Sequence, residues 1–142
     1  MLRDEFEAVG DRDPEDLLAA YEAVLTDVIE RQGIETVAAE TGIDATTLSG
    51  LVEGDSPDLT LEDGAAILAT DPDRPDDRDF LVADARDILL MGMSSAVLDV
   101  EAIQSGIGSQ LEAKEIQQKV EGRHPMTLAE YALLHRFIES RR

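Results

Sequence analysis

The segment VAAETGIDATTLSGLVEG, residues 37–54, carries the clearest local structural signal in the chain. A stretch rich in small residues comes first and is ended by Gly42. Asp44 then supplies the N-cap of a second short helix. Glycine commonly ends helices because it adopts the left-handed backbone conformation at no steric cost. The segment therefore predicts two short helices, Glu35–Thr41 and Asp44–Glu53, joined by a tight turn.

Helix signals continue on both sides of this segment. Upstream, Asp13 and Pro14 supply an N-cap and a first-turn proline, and an apolar stripe follows that ends at Gly33. Downstream, Thr60 opens the sequence TLED, a capping-box pattern with Asp in place of the usual Glu. We therefore predict a unit of four helices over residues 14–70.

The second half of the chain repeats this order of signals. At a shift of 68 residues, Ile43-Asp44-Ala45 lies over Leu111-Glu112-Ala113, and with one residue deleted Thr60-Leu61 lies over Thr127-Leu128. Chance similarity between two helix-turn-helix segments is the alternative. The second set of predicted helices is Phe80–Met93, Val100–Ser105, Glu112–Glu121 and a last helix opened by the capping box of Thr127 and Glu130.

These patterns define the predicted architecture. Strand signals are nearly missing, so we predict an all-α fold of about eight helices. Two four-helix units pack together into one compact body. The predicted segments are a flexible N-terminal segment, residues 1–13, the first unit, residues 14–70, an acidic linker, residues 71–79, and the second unit, residues 80–142.

The first unit resembles a known DNA-binding fold. The small-residue helix, the turn glycine Gly42, the following Ile43 and the helix ending in Glu53-Gly54 are similar to the helix-turn-helix of the lambda-repressor and Cro family. The resemblance covers residues 16–69 and, more weakly, residues 84–138. It implies two degenerate helix-turn-helix units, and in that family the third helix enters the major groove of DNA.

The composition is strongly acidic, with 32 Asp and Glu residues, 12 Lys and Arg residues and a formal net charge of -20. Only two of the basic residues are lysines. This bias resembles that of proteins from extreme halophiles of haloarchaeal type, in which molar salt screens the repulsion between surface carboxylates. An ordinary acidic protein is the alternative. The chain also resembles an uncharacterised haloarchaeal family. The polar N-terminus is unlike a secretory signal, and no apolar run reaches a membrane-spanning length. We therefore predict a cytoplasmic protein that makes no membrane contact.

Catalytic and metal-binding patterns are missing from the sequence. The absence of cysteine excludes disulfides, thiolate zinc sites and cysteine nucleophiles. His124 and His135 have no accompanying triad or metal motif, and Gly106-Ile107-Gly108 lacks the other elements of a phosphate-binding loop. The acidic run from Asp71 lacks the glycine and the final glutamate of a calcium loop. We therefore predict that the protein is not an enzyme, holds no metal or cofactor and has no small-molecule substrate.

The third helix of the second unit carries Lys114, Gln117, Gln118 and Lys119, and Arg123 follows it beyond Gly122. These five residues are the candidate nucleic-acid-binding residues. Lys and Arg bind guanine or phosphate, and Gln pairs with adenine. The corresponding helix of the first unit has no basic residue. Residues 114–142 hold six bases and four acids, whereas residues 1–113 hold six bases and 28 acids. We predict a DNA-binding or transcription-associated regulator that contacts double-stranded DNA through this helix.

A protein- or ribonucleoprotein-interaction module is the alternative function. In that case the helix-turn-helix units would not bind DNA, and the acidic surface with its apolar patches would contact a partner. The candidate patch lies near Leu90, Met91 and Met93, where it could also support a homodimer. Burial between the two units is the alternative explanation of this apolar run.

Overall fold

The computed structural model describes residues 8–108 and 111–142. Within these two ranges the chain forms helices and no β-strand, so the predicted all-α class and the predicted number of helices are confirmed. The helices are α1 (Pro14–Gln32), α2 (Ile34–Thr41), α3 (Ala45–Val52), α4 (Leu61–Ala69), α5 (Arg78–Ala96), α6 (Val100–Ile107), α7 (Ala113–Val120) and α8 (Leu128–Ser140).

Side-chain hydrogen bonds cap the N-terminus of the last helix in each unit. Thr60 Oγ1 accepts a hydrogen bond from the N–H of Asp63 (3.1 Å), and the Asp63 carboxylate accepts one from the N–H of Thr60 (3.1 Å). Thr127 and Glu130 form the same reciprocal pair, at 3.0 Å in each direction. Both predicted capping boxes are therefore present, and each satisfies two backbone donors near the start of its helix.

A tight turn joins α2 to α3 over residues 42–44. Gly42 ends α2 in the left-handed conformation (φ 78°), and its N–H donates to the carbonyl of Ala38 (2.9 Å). Thr41 Oγ1 accepts a hydrogen bond from the N–H of Ile43 (3.2 Å). The turn is therefore held by backbone and side-chain bonds where the glycine predicts it.

The two units match helix by helix. α1 and α5 both have 19 residues, and the four short helices α2, α6, α3 and α7 each have eight. The last helices differ, because α4 has nine residues and α8 has 13. Equivalent positions of α1 and α5 are buried alike, as Leu17 and Leu81, and Leu25 and Leu89, demonstrate. This correspondence supports an internal duplication.

A reciprocal pair of backbone hydrogen bonds joins the two units. The N–H of Leu61 donates to the carbonyl of Met126 (2.7 Å), and the N–H of Leu128 donates to the carbonyl of Leu59 (2.9 Å). Thr60 and Thr127 form an antiparallel bridge between these two bonds. Because the bonded residues occupy equivalent positions of the repeat, the contact has the self-complementary form of a two-fold interface.

The two units share one core. α1 packs against α8 and α5 packs against α4, so the first helix of each unit contacts the last helix of the other. Each first helix also packs against the last helix of its own unit. The most deeply buried side chains come from both units and include Leu17, Leu25, Leu48, Leu61, Leu68, Leu89, Ile103 and Ile116. Each unit therefore covers apolar surface of the other.

The N-terminal segment predicted to be flexible divides into two parts. Residues 1–7 lie outside the described residues. Val9–Asp11 form a short 3-10 helix that packs against α8, and Nε of Arg136 on α8 donates to the carbonyl of Arg12 (2.9 Å). Residues 8–12 are therefore attached to the helical body by contacts that the polar sequence does not indicate.

One aspartate of the predicted acidic linker is buried. The Asp71 carboxylate accepts hydrogen bonds from the N–H of Asp73 (2.9 Å) and from Nη2 of Arg31 (2.9 Å), and Nε of Arg74 lies 3.6 Å from it. The hydrogen bond from Asp73 and the charge of Arg31 lower the pKa of Asp71. Pro72 and Asp73 are exposed, whereas Asp71 is part of the fold.

Gly92 allows α5 and α8 to approach closely, and Gly92→Ala is expected to destabilise the fold. A Cβ at position 92 would lie 2.6 Å from Cγ2 of Ile138, which is fully buried. Overpacking of this kind costs about 2 kcal/mol, more than the ~1 kcal/mol that alanine gains over glycine in a helix. Denaturant unfolding measures the net loss.

Gly50→Ala is the matched control. Gly50 lies in α3, and a Cβ there would have Oδ2 of Asp55 as its nearest neighbour, at 3.5 Å. This variant is expected to gain about 0.5–1 kcal/mol from helix propensity. Equal stabilisation by both substitutions would contradict the close packing at Gly92.

Candidate nucleic-acid interface

α7 is an amphipathic helix with one buried face. Ile116 and Val120 are buried, and α7 packs against α6 and α5. At its start, the N–H of Ala113 donates to Oε1 of Gln104 on α6 (3.0 Å). The other positions of α7 face solvent wholly or in part. α7 is therefore fixed on the body with a polar face outward, as the sequence predicts.

Lys114 and Gln117 lie on the solvent face of α7. Helical spacing places Gln118 and Glu121 on the same face. Lys114 is exposed, and within the described part of the chain its side chain has no ion pair or hydrogen bond. Nε2 of Gln117 donates to Oε1 of Glu121 (3.3 Å). Lys114 is thus available for an external contact. Gln117 would have to break its hydrogen bond with Glu121 to make one.

Lys119 is engaged within the fold. Its Nζ donates to Oε2 of Glu130, and both side chains are largely buried. Oε1 of Glu130 accepts the capping hydrogen bond from Thr127. Lys119 therefore stabilises the start of α8, whereas the sequence predicts a nucleic-acid contact for it. The assignment missed this pair because Lys119 and Glu130 belong to different helices.

Arg123 lies in the turn after α7. Its side chain is exposed, with Nε 3.5 Å from Oε2 of Glu121. The carbonyl of Gln118 accepts hydrogen bonds from the N–H of Arg123 (2.8 Å) and of His124 (3.3 Å), and the Gln118 side chain is half-buried. The turn therefore presents Arg123 at the end of the α7 face.

Arg86 supports this turn and was not identified from the sequence. Its guanidinium carbon lies 3.0 Å from the position that a Cβ of Gly122 would occupy, so glycine leaves room for it. Nη2 of Arg86 donates to Oε1 of Glu62 on α4 (2.9 Å). A single arginine on α5 thus connects α4 to the α7–α8 turn. No local sequence signal indicates this arrangement, because Arg86, Glu62 and Gly122 come from three distant segments.

The arginines near the C-terminus form a separate group. Arg142 pairs with Glu139 (3.0 Å), and the Arg141 guanidinium lies 5.1 Å from the Phe137 ring centre. They stand at the opposite end of α8 from Thr127, about 20 Å away by helix rise. The basic residues of the last fifth of the chain therefore form two groups and not one continuous face.

The equivalent face of the first unit is neutral or acidic. On α3, Ala45 and Thr46 are exposed, and the exposed residues Glu53, Asp55 and Asp58 follow. The two helices thus occupy equivalent places in the two units, but the α7 face carries exposed bases and the α3 face carries none.

Tyr21, Tyr131 and His135 form a buried polar cluster between α1 and α8. A hydrogen bond joins the Tyr21 hydroxyl to Nδ1 of His135 (2.9 Å), and the Tyr131 hydroxyl donates to the carbonyl of Ala85 (3.2 Å). Burial lowers the pKa of His135 to about 4, so the ring is neutral at pH 7. This cluster connects helices of both units.

The described residues offer few places that could hold a ligand. No group of three or more His, Asp or Glu side chains there is placed to hold a metal ion. A half-open cleft of about 640 Å³ lies between the 3-10 helix, α5 and the end of α8, with Ile88, Met91, His135 and Glu139 on its walls. None of the described helices is long and apolar enough to cross a membrane.

The fold and this surface define an all-α protein built from a duplicated four-helix unit, with one polar helix face that carries exposed bases. The chain belongs to a family of unknown function, DUF5791, whose family model matches residues 17–141. The match spans α1 to α8, so both units belong to the family's domain. Comparison with curated proteins and with solved structures finds no match.

Proposed function

We propose that the chain is a non-enzymatic binding protein that contacts double-stranded DNA through α7, as a transcription-associated regulator. The observation that carries the proposal is the exposed face of α7, where Lys114 pairs with none of the described residues and Arg123 extends the same surface. Lys and Arg bind phosphate or guanine, and the amides of Gln117 and Gln118 can pair with adenine. Lys119 contributes to stability in this proposal and not to DNA contact.

The relation between the two units also supports the proposal. α3 and α7 occupy equivalent positions in units joined by a self-complementary contact, and dimeric helix-turn-helix proteins present two such helices to DNA. Here α3 carries no base and is followed by Asp55 and Asp58, which would repel phosphates. We therefore propose that only the second unit contacts base edges.

The net charge of -20 determines the conditions for this contact. If the chain is halophilic, as its composition suggests, it works at about 1 M salt or more, where the Debye length is about 3 Å. Long-range repulsion between the acidic body and DNA is then screened. The same screening weakens counter-ion release, so hydrogen bonds and shape must supply most of the affinity.

Lys114→Gln together with Arg123→Gln is expected to weaken DNA binding about tenfold and to lower the salt slope by about two phosphate contacts. The two positions are exposed, so their replacement should leave the fold unchanged. Fluorescence anisotropy with a mixed library of labelled duplexes, over a series of KCl concentrations, measures both quantities.

Arg141→Gln together with Arg142→Gln is the control with the same change of charge. These residues are exposed at the other end of α8, so affinity is expected to stay within about twofold. Equal losses in both double variants would indicate an effect of net charge alone and would refute contact through α7. Unchanged binding in the Lys114 and Arg123 variant would refute it as well.

An interaction module for a protein or ribonucleoprotein is the second candidate. The observation that favours it is the separation of the basic residues into two groups, with Lys119 held by Glu130. If the chain is such a module, no saturable binding to any duplex is expected between about 0.1 M and about 1 M KCl. The same anisotropy titration measures this.

A further inference from the structure

Arg86, in the middle of α5, contacts both units. Of the apolar patch that the sequence predicts on this helix, Leu90 and Met91 are exposed, whereas Met93 packs against the core. Arg86 lies one turn before Leu90, and its side chain is only 21% exposed. Its Nη2 donates to Oε1 of Glu62 (2.9 Å) on α4 of the first unit. A base of the second unit is therefore held by a carboxylate of the first.

The guanidinium of Arg86 also fills the space beneath the α7–α8 turn. Its Nε and Nη1 each lie 3.1 Å from the position that a Cβ of Gly122 would occupy. Gly122 has φ 80°, a backbone conformation that glycine adopts without steric cost. The glycine therefore permits both the turn and the close approach of Arg86 to it.

The first unit makes the equivalent contact with an acidic residue. Glu22 occupies on α1 the position that Arg86 occupies on α5, and its Oε2 accepts a hydrogen bond from Oγ of Ser56 (2.7 Å) in the α3–α4 turn. A Cβ on Gly54, the equivalent of Gly122, would have no neighbour within 4 Å among the described residues. The same helix position thus contacts the same turn in both units, but only in the second does its side chain pack against the turn glycine.

The placement of Arg123 depends on this turn. Arg123 directly follows Gly122, and its side chain is 73% exposed, with Nε 3.5 Å from Oε2 of Glu121. Because so exposed a side chain is not held by core packing, the backbone of the turn sets its position relative to α7. A group that is ordered before binding loses less conformational entropy in the contact. Arg86 can therefore affect the binding surface through the turn, without contacting a ligand itself.

We propose that Arg86 is a positioning residue for the contact that Arg123 makes, and that Glu62 of the first unit holds Arg86 in place. This inference rests on the proposed DNA contact of α7 and specifies what the first unit contributes to it. The third helix of that unit, α3, carries no base, yet α4 supplies the carboxylate that binds the guanidinium. The first unit thus supports the basic surface of the second.

Amide hydrogen exchange of the full chain without DNA tests the placement of the turn. Relative to the amides of the helices, Arg86→Gln is expected to raise exchange at Arg123 and His124 about tenfold, because the turn loses the side chain beneath it. Glu22→Gln is the matched control and should leave both amides within twofold. Unchanged exchange at Arg123 and His124 in Arg86→Gln would overturn the proposal.

A double-mutant cycle of duplex binding tests how Arg86 acts. In the anisotropy titration, Arg86→Gln should weaken binding about fivefold when Arg123 is present and less than twofold when it is combined with Arg123→Gln. The effect is lost in the combination because it passes through Arg123. Equal losses with and without Arg123 would indicate a direct contact of Arg86 or an effect on overall stability, and either would overturn the proposal.

Glu62→Ala keeps the proposal testable if Arg86→Gln does not fold. This variant leaves Arg86 in place without the carboxylate that binds its Nη2, so exchange at Arg123 should rise and duplex binding should weaken, both less than in Arg86→Gln. Wild-type exchange rates in Glu62→Ala would refute the contribution of the first unit. If the wild-type chain binds no duplex, the proposed function fails, and the exchange rates still decide whether Arg86 fixes the turn.

Discussion

Leu61→Pro is expected to lower the free energy of unfolding by about 3–4 kcal/mol. Proline is normally tolerated at the first position of a helix, because the helix leaves that N–H without a partner. Leu61 is the first residue of α4, but its N–H donates to the carbonyl of Met126 in the other unit. Proline would remove this donor, and the Met126 carbonyl would lose its hydrogen bond with residue 61. Guanidinium unfolding in molar KCl measures the loss.

Two controls isolate the hydrogen bond from other effects. Leu61→Val shortens the side chain, as proline does, but keeps the N–H, so it should cost only about 1 kcal/mol from lost packing. Ala45→Pro places proline at the first position of α3, where Asp44 already has an extended backbone (φ -58°, ψ 135°), and it should change stability by less than about 1 kcal/mol. Equal effects of Leu61→Pro and Leu61→Val would contradict a stabilising bond between the units.

Wild-type protein is expected to lose about 3 kcal/mol of stability relative to His135→Gln when the pH falls from 7 to about 4. Burial lowers the pKa of His135 to about 4, from 6.5 in the unfolded chain; Glu139 raises it and Arg142 lowers it further. Between these values the unfolded state binds the proton more readily, so stability falls as the pH falls. In the tautomer whose Nδ1 accepts from the Tyr21 hydroxyl, protonation would also remove the lone pair that makes this hydrogen bond.

His124→Gln is the matched control for this effect. His124 is exposed in the turn after α7, so the loss of stability that His135 causes is expected to remain in this variant. Comparing variants with the wild type cancels the titration of the many carboxylates over the same range. A nuclear magnetic resonance titration provides a direct test, since a His135 midpoint near 6.5 would contradict a buried neutral ring.

Helix boundaries were predictable where one residue determines the local backbone. Thr60 and Thr127 cap α4 and α8, and Gly42 ends α2, as their sequence context predicts. The end of α5 was predicted at Met93, but the helix continues to Ala96 and ends at Val97. Valine carries no stop signal, because its left-handed conformation is unfavourable and depends on the surrounding structure.

The candidate interface was predictable in position but not in its pairings. Apolar spacing predicts that Ile116 and Val120 face inward and that Lys114 faces solvent, and the structure agrees. The pairing of Lys119 with Glu130 requires α7 and α8 to be placed together, which local sequence patterns do not encode. For the same reason, Arg86 could not be identified as the side chain beneath the α7–α8 turn.

The reciprocal bonds between Leu61, Met126, Leu128 and Leu59 join two halves of a single polypeptide. In a homodimer, every substitution appears twice, and assembly depends on protein concentration. Here α3 and α7 can diverge separately, so a face without bases and a polar face with the exposed bases Lys114 and Arg123 coexist in one molecule. The surface of α7 is therefore present once per molecule, and its presence does not depend on protein concentration.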